Sequence, residues 1–148
     1  MPTFMGNDCL LYVNTGTYGS PTWVAINLAK DITIADSRAE GDSTVRGFDL
    51  TSTTPGQRTL QVTGEIKYDP ADSGFDALSD SYVADPQVAI GCLILDGLIA
   101  TAGKKGKRFD AYVTQWGDNE PLNQVKTVPF TLSATTDLAH GVEAYTST

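Results

Sequence analysis

Only one histidine, His140, occurs in the chain, and its two cysteines, Cys9 and Cys92, have neither a CxxC spacing nor a histidine-rich neighbourhood. A Ser/His/Asp relay and a conventional zinc site therefore lack their parts, and no catalytic, cofactor-binding or metal-ligating residue can be nominated. Both cysteines sit in apolar, strand-like runs and read as reduced core thiols. His140 reads as a solvated residue of a loose tail. Basic residues are scarce too: ten Lys and Arg face eighteen Asp and Glu, for a formal charge of −8. That balance argues against binding phosphates over the whole surface and against an anionic membrane. Aromatics make up 9% and are not interleaved with basic residues, so a stacking platform for single-stranded nucleic acid is excluded. Long apolar runs are missing. The first, Cys9 to Val13, has no basic residue before it, which is not the pattern of a secretory signal, and the expectation is a chain made in a cytoplasm. The longest, Val88 to Ala102, is broken by Asp96 and Gly97 and falls short of the ~20 residues of a membrane span.

What is present is turn chemistry and alternation. With 148 residues, 41% apolar content, 14 Gly and 7 Pro, the composition is that of one folded, turn-rich domain spanning 1–148. Short runs of alternating apolar and polar residues between Gly, Pro, Asn and Asp predict an all-β fold of the sandwich or barrel kind with one short helix. Strands are expected at Leu10–Val13, Trp23–Leu28, Asp31–Ile34, Thr59–Tyr68, Gln87–Leu95, Phe109–Trp116 and Val125–Ala134. Thr59–Tyr68 alternates best, with Leu60, Val62, Gly64, Ile66 and Tyr68 on one face. Gln87–Leu95 leaves no wet face, so one side should meet the helix or a partner subunit. Pro129, which cannot donate to a ladder, should mark an edge or bulge. Trp23 and Trp116 fall within strand patterns and read as core. Phe75, Leu78, Tyr82 and Val83 share one helical face, with Asp72 as N-cap and Pro86 beyond the last turn. Between the strands, residues 35–57 are polar and turn-rich and read as a long loop with a short strand near Ser43–Asp49. Residues 137–148 read as a flexible tail.

Three motifs invite chemistry. The segment Gly103-Lys104-Lys105-Gly106-Lys107-Arg108 resembles a phosphate loop but fails the Walker pattern at Thr101 and Arg108, leaving a solvated hairpin tip or a basic patch for acids of another subunit. Asp69–Asp80 has the glycine and the final carboxylate of a calcium loop, but Ala71 stands at a ligand position and the periodicity is helical. Eighteen acids offer many pairs, none singled out for acid–base work.

The order of signals is more telling than any one of them. TGTYGSPTW (Thr15–Trp23) leads to KDITI (Lys30–Ile34), then to SRAEGDSTVRG (Ser37–Gly47). An alternating strand follows, then the acidic helix DSGFDALSDSY (Asp72–Tyr82), an apolar strand, and NEPL (Asn119–Leu122) before the closing strand. This succession, over about Thr15–Ala134, resembles the major tail tube proteins of long-tailed bacteriophages. The resemblance implies a structural, non-enzymatic virion protein of the phage tail, assembled as hexameric rings stacked into a hollow tube through which DNA passes without specific binding. Partners would be other copies of the chain, with tape-measure, tail-tip or terminator proteins, and no membrane. Under this reading the dry strand Gln87–Leu95 would join the sheets of adjacent subunits, and the long polar segment would order against a neighbour. An acidic bore repels phosphates, while six copies at −8 would carry about −48 and need relief at their contacts. Arg38, Glu40, Arg46, Lys104, Lys105, Lys107 and Arg108 are the candidate subunit or ring contacts. Two other readings stay open: the tube of a contractile injection or type VI secretion machine, and a monomeric β-sandwich binding module. The module would need exposed loop aromatics, for which Tyr18, Trp23 and Trp116 are available.

Overall fold

Eight strands and one helix follow one another along the computed structural model, which describes residues 10–26, 29–136, 138 and 140–148. In chain order they are β1 (Leu10–Asn14), β2 (Trp23–Ala25), β3 (Ala29–Asp42), β4 (Thr53–Lys67), α1 (Ser73–Val83), β5 (Ile90–Leu95), β6 (Lys105–Trp116), β7 (Thr127–Thr135) and β8 (Glu143–Thr146). They form one antiparallel sheet in the order β2-β1-β5-β6-β7-β4-β3, with β8 added to β6. The all-β fold with one short helix is therefore as the alternation predicts. β6 joins the two halves: Lys105–Arg108 pair with β8 and Asp110–Trp116 with β7, while Gly106–Ala111 pair with β5 on the other side.

Period-2 patterning places Leu11, Val13, Ile90, Cys92, Phe109, Ala111, Val113, Val128, Phe130, Leu132, Leu60, Val62 and Ile66 in one cluster, closed by Phe75 and Leu78 of α1. Side chains from β1, β4, β5, β6 and β7 meet in a single core, so the sheet curls around it. The helix is capped as expected, the Asp72 carboxylate accepting from the Phe75 N–H at 3.1 Å. Its buried face runs Phe75, Leu78, Ser81 and not on to Tyr82 and Val83, which are exposed; the Ser81 hydroxyl donates to the Val88 carbonyl. The carboxylates of the calcium-like segment serve the same local ends, Asp69 accepting from the Ala71 N–H and Asp72 capping the helix. Cys92 is free and fully buried, and burial pushes its thiol well above the ordinary range. Cys9 lies outside the described residues, as do positions 27 and 28 at the end of the expected second strand.

The dry strand has a simpler cause than a neighbouring subunit. Ile90 and Cys92 enter the main core, while Leu93 and Leu95 join a second cluster on the opposite face with Tyr12, Leu10, Trp23, Ala25, Ile99 and Tyr145. Both edges of β5 are taken, by β1 and β6, so it does not join sheets between subunits. Trp23 and Trp116 are half-buried, Trp116 packing against the core near Phe75. Pro129 lies in central β7, and its carbonyl accepts from the Gly117 N–H at 3.1 Å. Its missing N–H faces that same side, so Gly117 gives a bond to Pro129 and receives none in return, just past the end of β6.

Two further expectations are corrected. Residues 35–57 are a loop only at 43–52: β3 and β4 run on as a long hairpin, paired from Ala35↔Gln61 out to Asp42↔Thr53, and the short strand expected near Ser43–Asp49 falls in its turn. The tail is not loose throughout, since Glu143–Thr146 pair with β6 and Ser147, 3% exposed, ties down the strand end through Lys104 N–H and the Thr101 carbonyl. The hairpin is polar on both faces and β8 offers only Tyr145 to the second cluster, whereas alternation is legible only where a longer face is dry.

Candidate functional site

The β3–β4 hairpin leaves the body where β4 parts from β7. Gln61 is the last β4 residue paired to β7, opposite Ser133. Beyond it the two strands pair only with each other, and five residue steps from Ser37 to Asp42 carry the arm about 17 Å. The arm bulges between Arg38 and Glu40, where Gly56 and Gln57 stand opposite Ala39. Pro55 is tolerated because this part of β4 has no second neighbour, and Gly56 lets the strands close up, since a Cβ there would stand 3.2 Å from Ala39. At the tip, Val45, Phe48 and Leu50 are 60%, 71% and 79% exposed. Apolar side chains held out on an unsupported ribbon are the signature of a surface that meets something.

The arm is pinned at its root by charge. Asp36 accepts from Arg58 through both carboxylate oxygens, Nε lying 2.8 Å from Oδ1, and from Lys107 Nζ at 2.9 Å. The Arg58 guanidinium first, then Lys107, holds the Asp36 carboxyl well below the usual range. A groove of about 600 Å³ runs beside this root, lined by Arg38, Arg58, Leu60, Thr135 and Val142 among others.

The sequence candidates separate into two groups. Arg38 spans the arm to the Gly56 carbonyl at 3.4 Å, and Glu40 and Arg46 are exposed along it. Lys104 and Lys105 stand at the start of β6, where the Lys105 N–H donates to Asp96 Oδ1. The basic cluster is thus on a strand and not at a hairpin tip. Lys107 is engaged with Asp36, and Arg108 donates to the Tyr18 carbonyl at 2.8 Å while its guanidinium lies 4.1 Å from the Tyr18 ring centroid and 5.1 Å from that of Trp23.

Around Arg108 lies an arrangement that spacing gave no sign of. The loop from Thr15 to Thr22 is organised by Asn14, whose Oδ1 accepts from the Gly16 and Thr22 N–H groups and whose Nδ2 donates to the Thr17 carbonyl. This sets Tyr18 against His140, the rings stacked at 3.5 Å, and its hydroxyl donates to both oxygens of Glu143 at 2.7 and 2.8 Å. His140 is therefore packed and not simply solvated. The bond to Glu143 raises the Tyr18 phenol above its ordinary value. Beneath them Asp110 is 8% exposed, and burial raises its carboxyl, with His140 and Arg108 pulling it down and Glu143 pushing it up. The only sequence signal was the aromatic-rich TGTYGSPTW run. Among the described residues no group of His, Cys, Asp and Glu is arranged to hold a metal ion, and no helix is long and apolar enough to cross a membrane.

No protein-family model matches the chain, and no curated protein matches it. Solved structures do. The subunit of the SPP1 tail tube superposes with a TM-score of 0.77 at 12% identity, over 97% of this chain and 80% of that one. A subunit from the tail of an empty gene transfer agent particle, refined with C6 symmetry, gives 0.71 at 13%, over 97% and 99%. A subunit of the sheath–tube complex of an extracellular contractile injection system gives 0.59 at 13%, over 97% and 92%. Over 97% of its length the chain has the fold of these subunits.

Proposed function

We propose that the chain is the structural subunit of a phage-type tail tube, forming hexameric rings that stack into a hollow conduit in the virion tail. The observation that carries this reading is the superposition of nearly the whole chain, arm included, on tube subunits from separate assemblies, one of them six-fold symmetric. The long arm supports it physically, because a ribbon with an apolar tip and no core of its own gains its stability from a neighbour. Arg38, Glu40 and Arg46 on the arm, with Lys104 and Lys105 at the start of β6, supply contacts between subunits or rings. Lys107 and Arg108 act from within, holding the arm root and the Tyr18 loop in place. DNA is the cargo, repelled by the acidic chain and bound nowhere specifically. Tape-measure, tail-tip and terminator proteins are the expected partners, and the role is not enzymatic.

The tube of a contractile injection machine is a second reading, favoured by the likeness to the sheath–tube subunit, but agreement with the phage and gene transfer agent subunits is closer. Negative-stain microscopy and light scattering of the purified chain across concentration and salt test the proposal. Hollow rings or tubes support it; a monomer under every condition favours a solitary binding module. Reversing Lys104 and Lys105 together to Glu is expected to shorten or abolish tubes while leaving the melting temperature within a few degrees. Unchanged tube length would remove these lysines from the interface.

A further inference from the structure

One cleft holds a buried carboxylate oxygen that no described residue hydrogen-bonds. On the face opposite the main core, Asn14, Gly91 and Asp110 stand on one rung across β1, β5 and β6. Gly91 keeps the floor bare, since a Cβ there would lie 3.1 Å from the Asn14 Cβ and 3.5 Å from Asp110 Oδ1. Tyr18, Leu138 and His140 wall a space of about 330 Å³ above it. Asp110 is more than nine-tenths buried, and its Oδ2 has no hydrogen-bond partner among the described residues. A buried carboxylate oxygen without a partner is costly, and a cation entering the cleft removes the cost. A guanidinium suits the place better than an ammonium, because it is planar, weakly hydrated and can present two N–H groups to one carboxylate.

The chain also carries the complement. Arg46, at the arm tip, makes no hydrogen bond or ion pair with any described residue. It sits between Val45 and Phe48, both exposed, and the cleft rim offers exposed Leu138 and, next to Ala89, exposed Val88. Charge meets charge and apolar rim meets apolar flank. Because the arm pairs only with itself, its tip is free to seat on another molecule.

We propose that the Asp110 cleft receives the Arg46 guanidinium of a second copy of this chain, with Val45 and Phe48 closing over the rim formed by Leu138 and Val88. The inference rests on the tube reading, which supplies the second copy. A cyclised peptide of the arm tip, Ser43 to Ser52, is titrated into isotope-labelled full-length protein kept below its assembly threshold, and amide shifts are followed. Shifts at Tyr18, Gly91, Asp110 and His140 are expected, with binding about tenfold or more weaker for Asp110→Asn protein and for a peptide carrying Arg46→Ala. Equal affinity for the Asp110→Asn protein, or shifts confined to other faces, would overturn the proposal. Microscopy separates it from the reading it rests on. Rings that form at the wild-type threshold in both Arg46→Ala and Asp110→Asn overturn the cleft and leave the tube standing. Asp110-dependent peptide binding supports the cleft even where no ring is seen.

Discussion

The two halves of β4 are the same strand under different forces. From Leu60 to Ile66 the side chains alternate into the core, and Leu60, Val62 and Ile66 are all but inaccessible. From Thr53 to Thr59 every residue is exposed, yet the ladder to β3 continues. The inner half is held by burial, roughly 25 cal/mol for each Å² of apolar surface removed from water. The outer half is held by backbone bonds, cross-strand pairs and the charge cluster at Asp36, which in water leave a two-stranded ribbon marginal. Fold and assembly are thereby separated along one strand, the inner half specifying the body and the outer half left to be completed by contact.

Matched truncations give the widest contrast. Phe109 is buried in the main core at 2% exposure, and Phe109→Ala is expected to cost about 3–5 kcal/mol of unfolding free energy. Phe48→Ala, at the tip, is expected to cost less than about 0.5 kcal/mol while raising the protein concentration at which tubes form. Chemical denaturation and light scattering measure the two effects. A core-sized loss of stability from Phe48→Ala would mean that the arm folds as part of the body, and the division would fall.

Asp110 sharpens the contrast from the other direction, since it is buried in the body yet keeps an oxygen that no described residue bonds. Burial raises its carboxyl, so the folded state resists its ionisation. For a carboxylate raised on folding, stability is lost as pH climbs from the unfolded value through the folded one. Asp110→Asn is therefore expected to stabilise the monomer by about 1 kcal/mol near neutral pH, with the gain shrinking toward pH 4, where both side chains are neutral. Denaturation curves at the two pH values check the sign. A destabilised variant near neutrality would show that the carboxylate is already satisfied within the monomer.

How much could be read from the residues follows the same division. Alternation located the inner parts of β4, β5, β6 and β7, and the spacing of Phe75 and Leu78 with the Asp72 cap located α1, because burial imposes a period. It failed at Ala35–Gln57, where the strands are wet on both faces and the period has no cause, and at Glu143–Thr146, where one half-buried Tyr145 in four residues is too little to show a period. Charge counting drew attention to Arg38, Arg46 and the Lys104–Arg108 cluster but could not tell that Lys107 is used inside the molecule, since Asp36 lies 71 positions away in sequence. The Asp110 cleft was illegible for the same reason: Asn14, Gly91 and Asp110 meet only when β1, β5 and β6 are in register. The resemblance to tail tube proteins rested on the order of soft signals, which the topology preserves.

The smallest effect is expected at the joint itself. Asp36 takes Arg58 from the outer half of β4 and Lys107 from β6, so one carboxylate ties arm to body. Its proton affinity is lowered, first by the Arg58 hydrogen bonds and then by Lys107. A carboxylate lowered on folding stabilises above its unfolded value, near 4, and that contribution drains away as pH falls from there toward the folded value. Because the pair is solvent-exposed, it should order the arm and scarcely move global melting. Amide exchange at Ser37–Thr59 is accordingly expected to be faster in Asp36→Asn than in the wild type near pH 6, with core amides such as Val62 and Leu132 unchanged, and the difference should close as the pH is lowered below about 4. Faster exchange in arm and core alike would make Asp36 a support of the whole sheet, and the two halves of β4 would then be one cooperative unit.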